Sequence, residues 1–235
     1  MLKILLFSDV HGSIEAMELL HRQLANVQAE YDCAIFAGDI SNFFFEGRET
    51  LPTIPLLFAQ FEALDVPVYF VRGNRDVNLQ LRASIPFDFA NGIFLEGRAT
   101  ELPNGTRVTG DHERLDLDNR TILVTHFEEV PLSQPGLHIV GHTHVARYSP
   151  SFINLGFLYR TEEHGAKSMN GIFWLIELDG ARVANLRWYA LEGKNEEDQS
   201  RRQYPFKEYH CHHHPDAGTW VLPFYWKRCP LCYKK

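Results

Sequence analysis

Short apolar runs are separated by helical or polar segments through the first two thirds of the chain. Five of these runs have the length of buried strands, and they cover residues 4–7, 33–37, 66–71, 121–125 and 137–140. Apolar side chains at helical spacing predict one helix over residues 13–28, with Ser13 as its N-cap, and a second over residues 50–64. Turn signals at Asn104-Gly105 and Asp179-Gly180 predict hairpins, the second within the alternating pattern of residues 171–189. This order of elements predicts an α/β fold.

Each of the five strand-like runs is followed by side chains that can bind a metal ion. They are Asp9 and His11, Asp39, Asn74, His126, and His142 with His144. In open α/β sheets, ligands bind outside the carboxyl ends of the strands, so we expect these side chains to meet. Four imidazoles, two carboxylates and one amide suit Mn, Fe or Zn better than Ca.

Seven ligands are too many for one tetrahedral ion and suit two ions that share a bridging carboxylate. Such a pair generates a bound hydroxide and neutralises the charge that develops during displacement at phosphorus. Asp-x-His alone is a weak motif. The prediction of a metal site depends on the metal-ligand residues that also follow the four other strands.

The blocks Asp9-x-His11, Gly38-Asp39, Gly73-Asn74, His126 and Gly141-His142-x-His144 resemble the calcineurin-like metallophosphoesterases. The resemblance covers roughly residues 1–190 and implies a four-layer α/β/β/α sandwich. It also implies that Asp9, His11, Asp39 and His144 hold one metal, and that Asp39 bridges to a second held by Asn74, His126 and His142. The opening Ser8–Gly12 block and Ile153-Asn154-Leu155-Gly156 are similar to the small bacterial and archaeal phosphodiesterase branch.

Two positions depart from the family pattern. Arg75 stands where the family often has a histidine that is thought to protonate the leaving group or hold the phosphate. A guanidinium is a poor general acid but binds phosphate well. We therefore expect a phosphodiester or a nucleotide pyrophosphate as substrate. The expected catalytic residues are Asn74, Arg75 and His126. Gly-Asn-Arg-Asp is also similar to the motif of UDP-diacylglucosamine hydrolases. The alternative role for Arg75 is an ion pair with Asp76.

The second departure is Phe127, where a glycine commonly follows the histidine. This side chain either narrows the pocket or packs. The apolar loop Phe43-Phe44-Phe45 either walls the substrate pocket or packs in the core.

The polar composition of the segment after Gly193 predicts a linker over residues 193–206, between a catalytic domain of residues 1–192 and a tail module of residues 207–235. In the tail, Cys211-x-x-His214 and Cys229-x-x-Cys232 have the spacing of a Cys3His zinc site, with His212 as the rival to His214. The tail resembles a zinc ribbon, and we expect a small zinc-binding hairpin that one structural zinc stabilises.

The tail is also basic. From Arg201 onward, seven Lys or Arg stand against two acidic residues, a net of +5, which leaves −12 for the rest of the chain. Interleaved aromatic residues suit single-stranded nucleic acid, but they also suit docking onto the catalytic domain or a protein partner. Both interpretations stay open at this point.

Charge and hydropathy narrow the remaining possibilities. The formal net charge of −7 over 235 residues does not indicate a general nucleic-acid binder. No apolar stretch approaches the roughly 20 residues of a membrane span, and the run that Asp9 interrupts is too short for a signal peptide. Cys33 lies alone while the other three cysteines cluster in the tail, which favours metal binding over disulfides. We therefore expect a cytoplasmic protein.

The sequence thus predicts a metal-dependent phosphoric ester hydrolase that acts on a phosphoester small molecule or nucleotide. A phosphodiester is favoured over a monoester. One alternative is a nuclease or RNA-processing enzyme whose tail binds nucleic acid. Another is a non-catalytic scaffold, which the seven filled ligand positions disfavour.

Overall fold

The described residues form two large mixed β-sheets, with helices against the first, and a two-stranded sheet. The computed structural model describes residues 1–42, 53–160, 169–191, 206–224 and 226–233. The predicted Phe43–Phe45 loop and almost all of the predicted 193–206 linker lie outside these residues. Among the described residues, no helix is long and apolar enough to cross a membrane.

The elements of the first half of the chain are β1 (Leu2–Phe7), α1 (Ile14–Asn26), β2 (Cys33–Phe36), α2 (Ile54–Glu62), β3 (Val68–Phe70), α3 (Asn74–Ala83), β4 (Gly92–Phe94), β5 (Ala99–Glu101) and β6 (Arg107–Thr109). The second half contains β7 (Thr121–Thr125), β8 (Leu137–Val140), β9 (Ala146–Ser149), β10 (Phe152–Asn154), β11 (Tyr159–Arg160), β12 (Met169–Asn170), β13 (Ile172–Asp179), β14 (Arg182–Ala190), β15 (Phe206–His210), β16 (Thr219–Pro223) and α4 (Pro230–Tyr233).

The first sheet has the strand order β14-β13-β1-β2-β3-β4, with parallel pairing from β1 to β4 and antiparallel pairing at β13 and β14. The second has the order β15-β16-β9-β10-β8-β7-β6-β5 and is also mixed. The predicted hairpins at Asn104-Gly105 and Asp179-Gly180 are confirmed as β5–β6 and β13–β14. The α/β class with two packed sheets is therefore confirmed.

Strand β1 shows how the period of two in an extended chain builds two cores. Ile4 and Leu6 face the second sheet and join the core between the sheets. Leu5 and Phe7 face the opposite way, into the core that the helices α1 and α2 cover. Because both faces of β1 are buried from Ile4 to Phe7, this part of its sequence is continuously apolar, as is usual for central parallel strands.

Helix α3 was not predicted, because its sequence is polar and lacks a clear apolar stripe. It begins at Asn74, directly after β3 and its short loop. The Gly73 N–H donates to Asp76 Oδ2 at 2.9 Å, so the third residue of the helix caps its own start. The glycine-to-aspartate spacing was the signal in the sequence that could have revealed this helix.

The tail continues the second sheet. Strand β16 pairs antiparallel with β9, and β15 pairs with β16 at the sheet edge. Trp220 and Leu222 are buried, and Tyr209 and Trp226 pack against them. Val145 of the domain joins this cluster and Arg147 stacks over Trp220, so Trp220 takes part in docking the tail onto the domain, which was one of the two expectations for the aromatic residues. The predicted division of the chain into a catalytic domain of residues 1–192 and a tail module of residues 207–235 stays a prediction.

Candidate active site

The loops after β1 and β2 are joined by their backbones. Asp9 N–H donates to Gly38 O at 2.9 Å, and the N–H groups of Val10 and His11 donate to Asp39 O at 2.9 and 3.0 Å. These bonds continue the β1–β2 pairing beyond the strands themselves. As a result, Asp9, His11 and Asp39 are held at one edge of the first sheet.

Five of the predicted ligands have left-handed backbone conformations. Their φ angles are 56° at Asp9, 50° at His11, 61° at Asp39, 65° at His142 and 54° at His144. Such angles are uncommon outside glycine, and each is disfavoured by roughly 1–2 kcal/mol. Strained backbone of this kind concentrates at functional sites, because the surrounding structure must hold it in place.

The first group of converging atoms comes from Asp9, His11 and His144. His144 Nε2 lies 3.1 Å from Asp9 Oδ1 and 2.9 Å from His11 Nε2. Asp9 and His11 are buried, and His144 is partly exposed. Asn154 donates to Thr143 Oγ1 at 3.0 Å, so the Ile153–Gly156 block supports the loop that carries His144.

The second group comes from Asp9, Asp39 and His126, all of which are buried. His126 Nε2 lies 3.4 Å from Asp39 Oδ2 and 3.1 Å from Asn74 Oδ1. His142 Nδ1 lies 3.2 Å from the same nitrogen. All seven predicted side chains therefore meet in one place. Asp9 belongs to both groups and Asp39 to the second, so the bridging role that the resemblance gives to Asp39 stays a prediction.

The hydrogen bonds of His126 indicate whether these atoms could bind a cation. Its Nδ1–H donates to Ala37 O at 2.8 Å, which leaves the Nε2 lone pair directed at the oxygens of Asp39 and Asn74. The Nε2 lone pair and these two oxygens are all hydrogen-bond acceptors. At separations of 3.1–3.4 Å they repel one another unless a positive charge lies between them. Ligands bound to one ion at about 2.0–2.2 Å lie about 3.0–3.5 Å apart, and the observed separations match. The donor set fits divalent cations.

The pKa values of the site residues reflect two opposing effects, burial and the attraction between the carboxylates and the histidines. Burial alone would raise the pKa of Asp9, but hydrogen bonds with His11 and His144 hold it well below its usual range. Burial lowers the pKa of His126, but the hydrogen bond with Asp39 and the charges of Asp9 and Asp39 outweigh it and raise that pKa to about 9. His142 has a lowered pKa because of burial and the nearby charge of His126. The two carboxylates therefore favour a positive charge at the position of His126.

Asp76 organises the loops around Asp39, a role that the sequence did not reveal. Its Oδ2 accepts hydrogen bonds from the N–H groups of Asp39 at 2.7 Å, Ile40 at 3.2 Å and Gly73 at 2.9 Å, and its Oδ1 accepts one from Ser41 at 3.0 Å. Burial and the negative charge of Asp39 raise the pKa of Asp76 to about 7. One carboxylate therefore joins the loop that carries Asp39 to the start of α3, which carries Asn74.

The two positions that depart from the family pattern both lie at this site. Arg75 is buried in the first turn of α3, and its N–H donates to Asp39 Oδ1 at 2.9 Å. The Phe127 ring packs 4.4 Å from the His142 ring and 5.1 Å from the His126 ring, measured between centroids, and 41 % of the residue remains exposed. Phe127 therefore packs against both imidazoles while part of its own ring stays exposed.

The tail contains a third cluster, formed by Cys211, His214, Cys229 and Cys232. The His214 Nδ1 to sulfur distances are 3.5, 3.5 and 3.6 Å, and two of the sulfur–sulfur distances are 3.6 and 3.7 Å. A tetrahedral zinc site with bonds of 2.3 Å to sulfur and 2.0–2.1 Å to nitrogen implies about 3.5 and 3.8 Å for these edges. His214 belongs to the cluster, and the rival His212 is exposed. This Cys3His cluster is consistent with a zinc site.

Comparison with known proteins gives a family for this geometry. The model of the calcineurin-like phosphoesterase superfamily domain matches residues 2–170. No relative among the curated proteins matches the chain.

Solved structures with a similar fold include TT1561 of Thermus thermophilus, with a TM-score of 0.52 at 14 % identity over 81 % of this chain and 99 % of that one. Yfce, a phosphoesterase from E. coli, gives a TM-score of 0.44 at 17 % identity over 81 % of this chain and 100 % of that one. At such identities, the similarity to the Thermus protein shows a common fold and carries no information on substrate.

Proposed function

The chain belongs to the calcineurin-like phosphoesterase superfamily, and we propose that it hydrolyses a phosphodiester or a nucleotide pyrophosphate with two divalent metal ions. The observation that carries the proposal is the convergence of seven donor side chains from five strand ends, four of them buried, two half-buried and one, His142, exposed. Mn, Fe and Zn all suit this mixture of imidazole and carboxylate ligands.

Asp9, His11, Asp39 and His144 would hold one ion, and Asn74, His126 and His142 would hold the other together with Asp39. Bound in this way, the two ions supply an activated water and neutralise charge on the phosphoryl oxygens. The chain supplies orientation. The Ala37 carbonyl keeps the Nε2 lone pair of His126 directed at the site, and Asp76 fixes the loops of Asp39 and Asn74 relative to each other.

Arg75 is proposed to act on the substrate phosphate, together with Asn74 and His126. Its guanidinium remains protonated at any working pH, so it stabilises negative charge but does not protonate a leaving group. The lack of an acid at this position handicaps esters with an alkoxide leaving group most, and a pyrophosphate, which releases a stabilised phosphate anion, least. We therefore propose that a pyrophosphate is preferred over an alkyl ester. The preference for a diester over a monoester is proposed separately, from the similarity of the Ser8–Gly12 and Ile153–Gly156 blocks to the phosphodiesterase branch.

The first experiment compares bis(p-nitrophenyl) phosphate with p-nitrophenyl phosphate in the presence of Mn. We expect both to be hydrolysed and the diester to have the higher kcat/KM. Asp9→Asn should lower kcat/KM by roughly 100-fold while the circular dichroism spectrum is unchanged, because it weakens both ligand groups. If neither ester is hydrolysed by protein that has bound Mn, the chain is a scaffold and the proposal fails. A faster monoester reaction contradicts the diester preference alone.

A second experiment tests the role of Arg75 through the leaving group. In the wild type, p-nitrophenyl esters should react much faster than the corresponding phenyl esters, because phenolate leaves less readily without a proton. Arg75→His offers an acid at this position and should narrow that difference, while Arg75→Lys should not. Equal leaving-group dependence in all three proteins would show that residue 75 has no access to the leaving oxygen.

The tail is proposed to hold one structural zinc through Cys211, His214, Cys229 and Cys232. Since β16 pairs with β9, this ion would stabilise the edge of the sheet that carries the site as well as the tail itself. The nuclease alternative receives less support, because Trp220 is buried and Tyr209 and Trp226 are partly buried, which leaves less of their ring surface for stacking on bases.

A further inference from the structure

A cleft lies between the rim of the active site and the zinc-binding tail. Its volume is about 810 Å³, which is within the usual range for small-molecule sites. On one side it is lined by Glu128 and Thr143, and on the other by His213, Asp216 and Leu231. Thr143 stands between the ligands His142 and His144, and Glu128 follows His126 by two residues. The loops that carry the metal-binding side chains therefore also contribute to the lining of the cleft, although none of the seven ligand candidates lines it.

The tail side of this cleft is built as a rigid wall. His213 and Leu231 each neighbour a member of the Cys3His cluster in sequence, namely His214 and Cys232. A metal ion bound by that cluster fixes the backbone of both knuckles, and with it the positions of these two cleft residues. The wall is therefore positioned by the tail, and no other described segment forms that side of the cleft.

Arg147 connects the two walls. Its guanidinium forms an ion pair with Glu128 and donates to Ala217 O at 3.2 Å. It also stacks over Phe152 at 4.3 Å and over Trp220 at 5.4 Å, so its orientation is held on both faces. Glu128 compensates the charge of Arg147, so the cleft has no strong positive field from this residue.

The charge of the lining decides which class of ligand fits. Among the described residues that line the cleft, Arg147 is the one permanent cation, and it is paired, while Asp216 adds an exposed carboxylate. Apolar surface comes from Val145, Trp220 and Leu231. A polyanionic strand is disfavoured here, whereas an uncharged ring that carries hydroxyl groups can place its face on the apolar wall and donate to Asp216.

We propose that this cleft binds the alcohol portion of a phosphodiester that stays on phosphorus, as an uncharged, hydroxylated group of nucleoside or sugar size. The tail thereby selects the substrate. This inference rests on the proposed phosphodiesterase activity.

The test compares two esters that release the same p-nitrophenolate, thymidine 5′-(p-nitrophenyl phosphate) and methyl p-nitrophenyl phosphate. They differ only in the alcohol that remains on phosphorus. The full-length protein with Mn and Zn should prefer the thymidine ester by 10-fold or more in kcat/KM. His213→Trp introduces bulk into the cleft and should reduce that preference at least 5-fold, without a change in the rate for the methyl ester.

His212→Trp is the matched control, because His212 is also exposed and is not among the cleft residues. It should leave both rates unchanged. Zinc content is measured on each variant, and Asp216→Trp on the same wall replaces His213→Trp if that variant loses zinc.

The outcomes separate the two proposals. If the wild type hydrolyses neither ester, the proposed function itself is wrong. If it hydrolyses both and the cleft variants leave the preference unchanged, or lower both rates equally, the subsite is overturned while the activity stands. A wild type that prefers a single-stranded oligonucleotide to both esters would also overturn the subsite, in favour of nucleic-acid binding.

Discussion

Gly73→Ala is the sharpest test of how the site is assembled. A Cβ at this position would lie 2.0 Å from Asp39 Oδ1 and 2.5 Å from Asp39 N, and contacts below 3.0 Å essentially do not occur. The φ of Gly73 is −90°, which any residue can adopt, so the effect is steric. Because the backbone N–H of Asp39 is bonded to Asp76, rotation of the Asp39 side chain alone cannot relieve the contact.

The magnitude follows from these distances. The carboxylate of Asp39 must retreat by about 1 Å, and displacement of a catalytic group by that amount lowers rates by roughly 100-fold. Overpacking of this kind also lowers the free energy of unfolding by about 1–3 kcal/mol. The loss of a favourable N-cap residue adds about 0.5–1 kcal/mol. We therefore expect a folded protein that is about 1.5–4 kcal/mol less stable and roughly 100-fold less active.

The assay combines urea denaturation with kcat/KM for bis(p-nitrophenyl) phosphate over a range of Mn concentrations. Gly97→Ala is the control, because a Cβ there meets nothing within 4 Å. Its φ of +71° still disfavours alanine by about 1 kcal/mol, so it should lose stability and keep its activity. If Gly73→Ala retains wild-type activity, or loses no more than the control, the close approach of Gly73 to Asp39 does not position the site.

Three further predictions concern other parts of the molecule. Asp76→Asn should weaken Mn binding by roughly 10- to 100-fold, measured by activity titration, because the loop of Asp39 loses an acceptor; an unchanged titration would contradict this. Burial and the nearby charge of His112 lower the pKa of His138 from 6.5 to about 4. Between these values the unfolded chain binds more protons, so stability should fall by up to about 3 kcal/mol as the pH drops from 7 to 4. Urea denaturation should show a flatter pH dependence in His138→Gln, and an identical dependence would exclude His138 as the cause. Cys229→Ser should lose zinc on dialysis, whereas Cys33→Ala, outside the cluster, should retain it; metal analysis decides between these results.

The existence of helix α3 and the pairing of the tail with the second sheet were not predicted from the sequence. The sequence of α3 is polar, and its start depends on the contact of Asp76 with Gly73 and with the loop after β2. The pairing of β16 with β9 joins residues about 70 positions apart. The pairing of the tail has no local pattern, and α3 has only the glycine-to-aspartate spacing at its start, since both features depend on backbone groups that come together when the chain folds.

The sequence alone determined the chemistry of the site. Strand length, the period of two and the ligand at each strand end are local properties, and they pointed to all seven candidate side chains, which follow strands of both sheets. Only the tertiary structure decided how these side chains are held. The left-handed turns, the Asp76 bonds and the lone pair of His126 directed by Ala37 depend on neighbours that are distant in sequence. The position of the tail beside the metal-binding loops also depends on long-range strand pairing, and the proposed selection of substrate rests on that pairing.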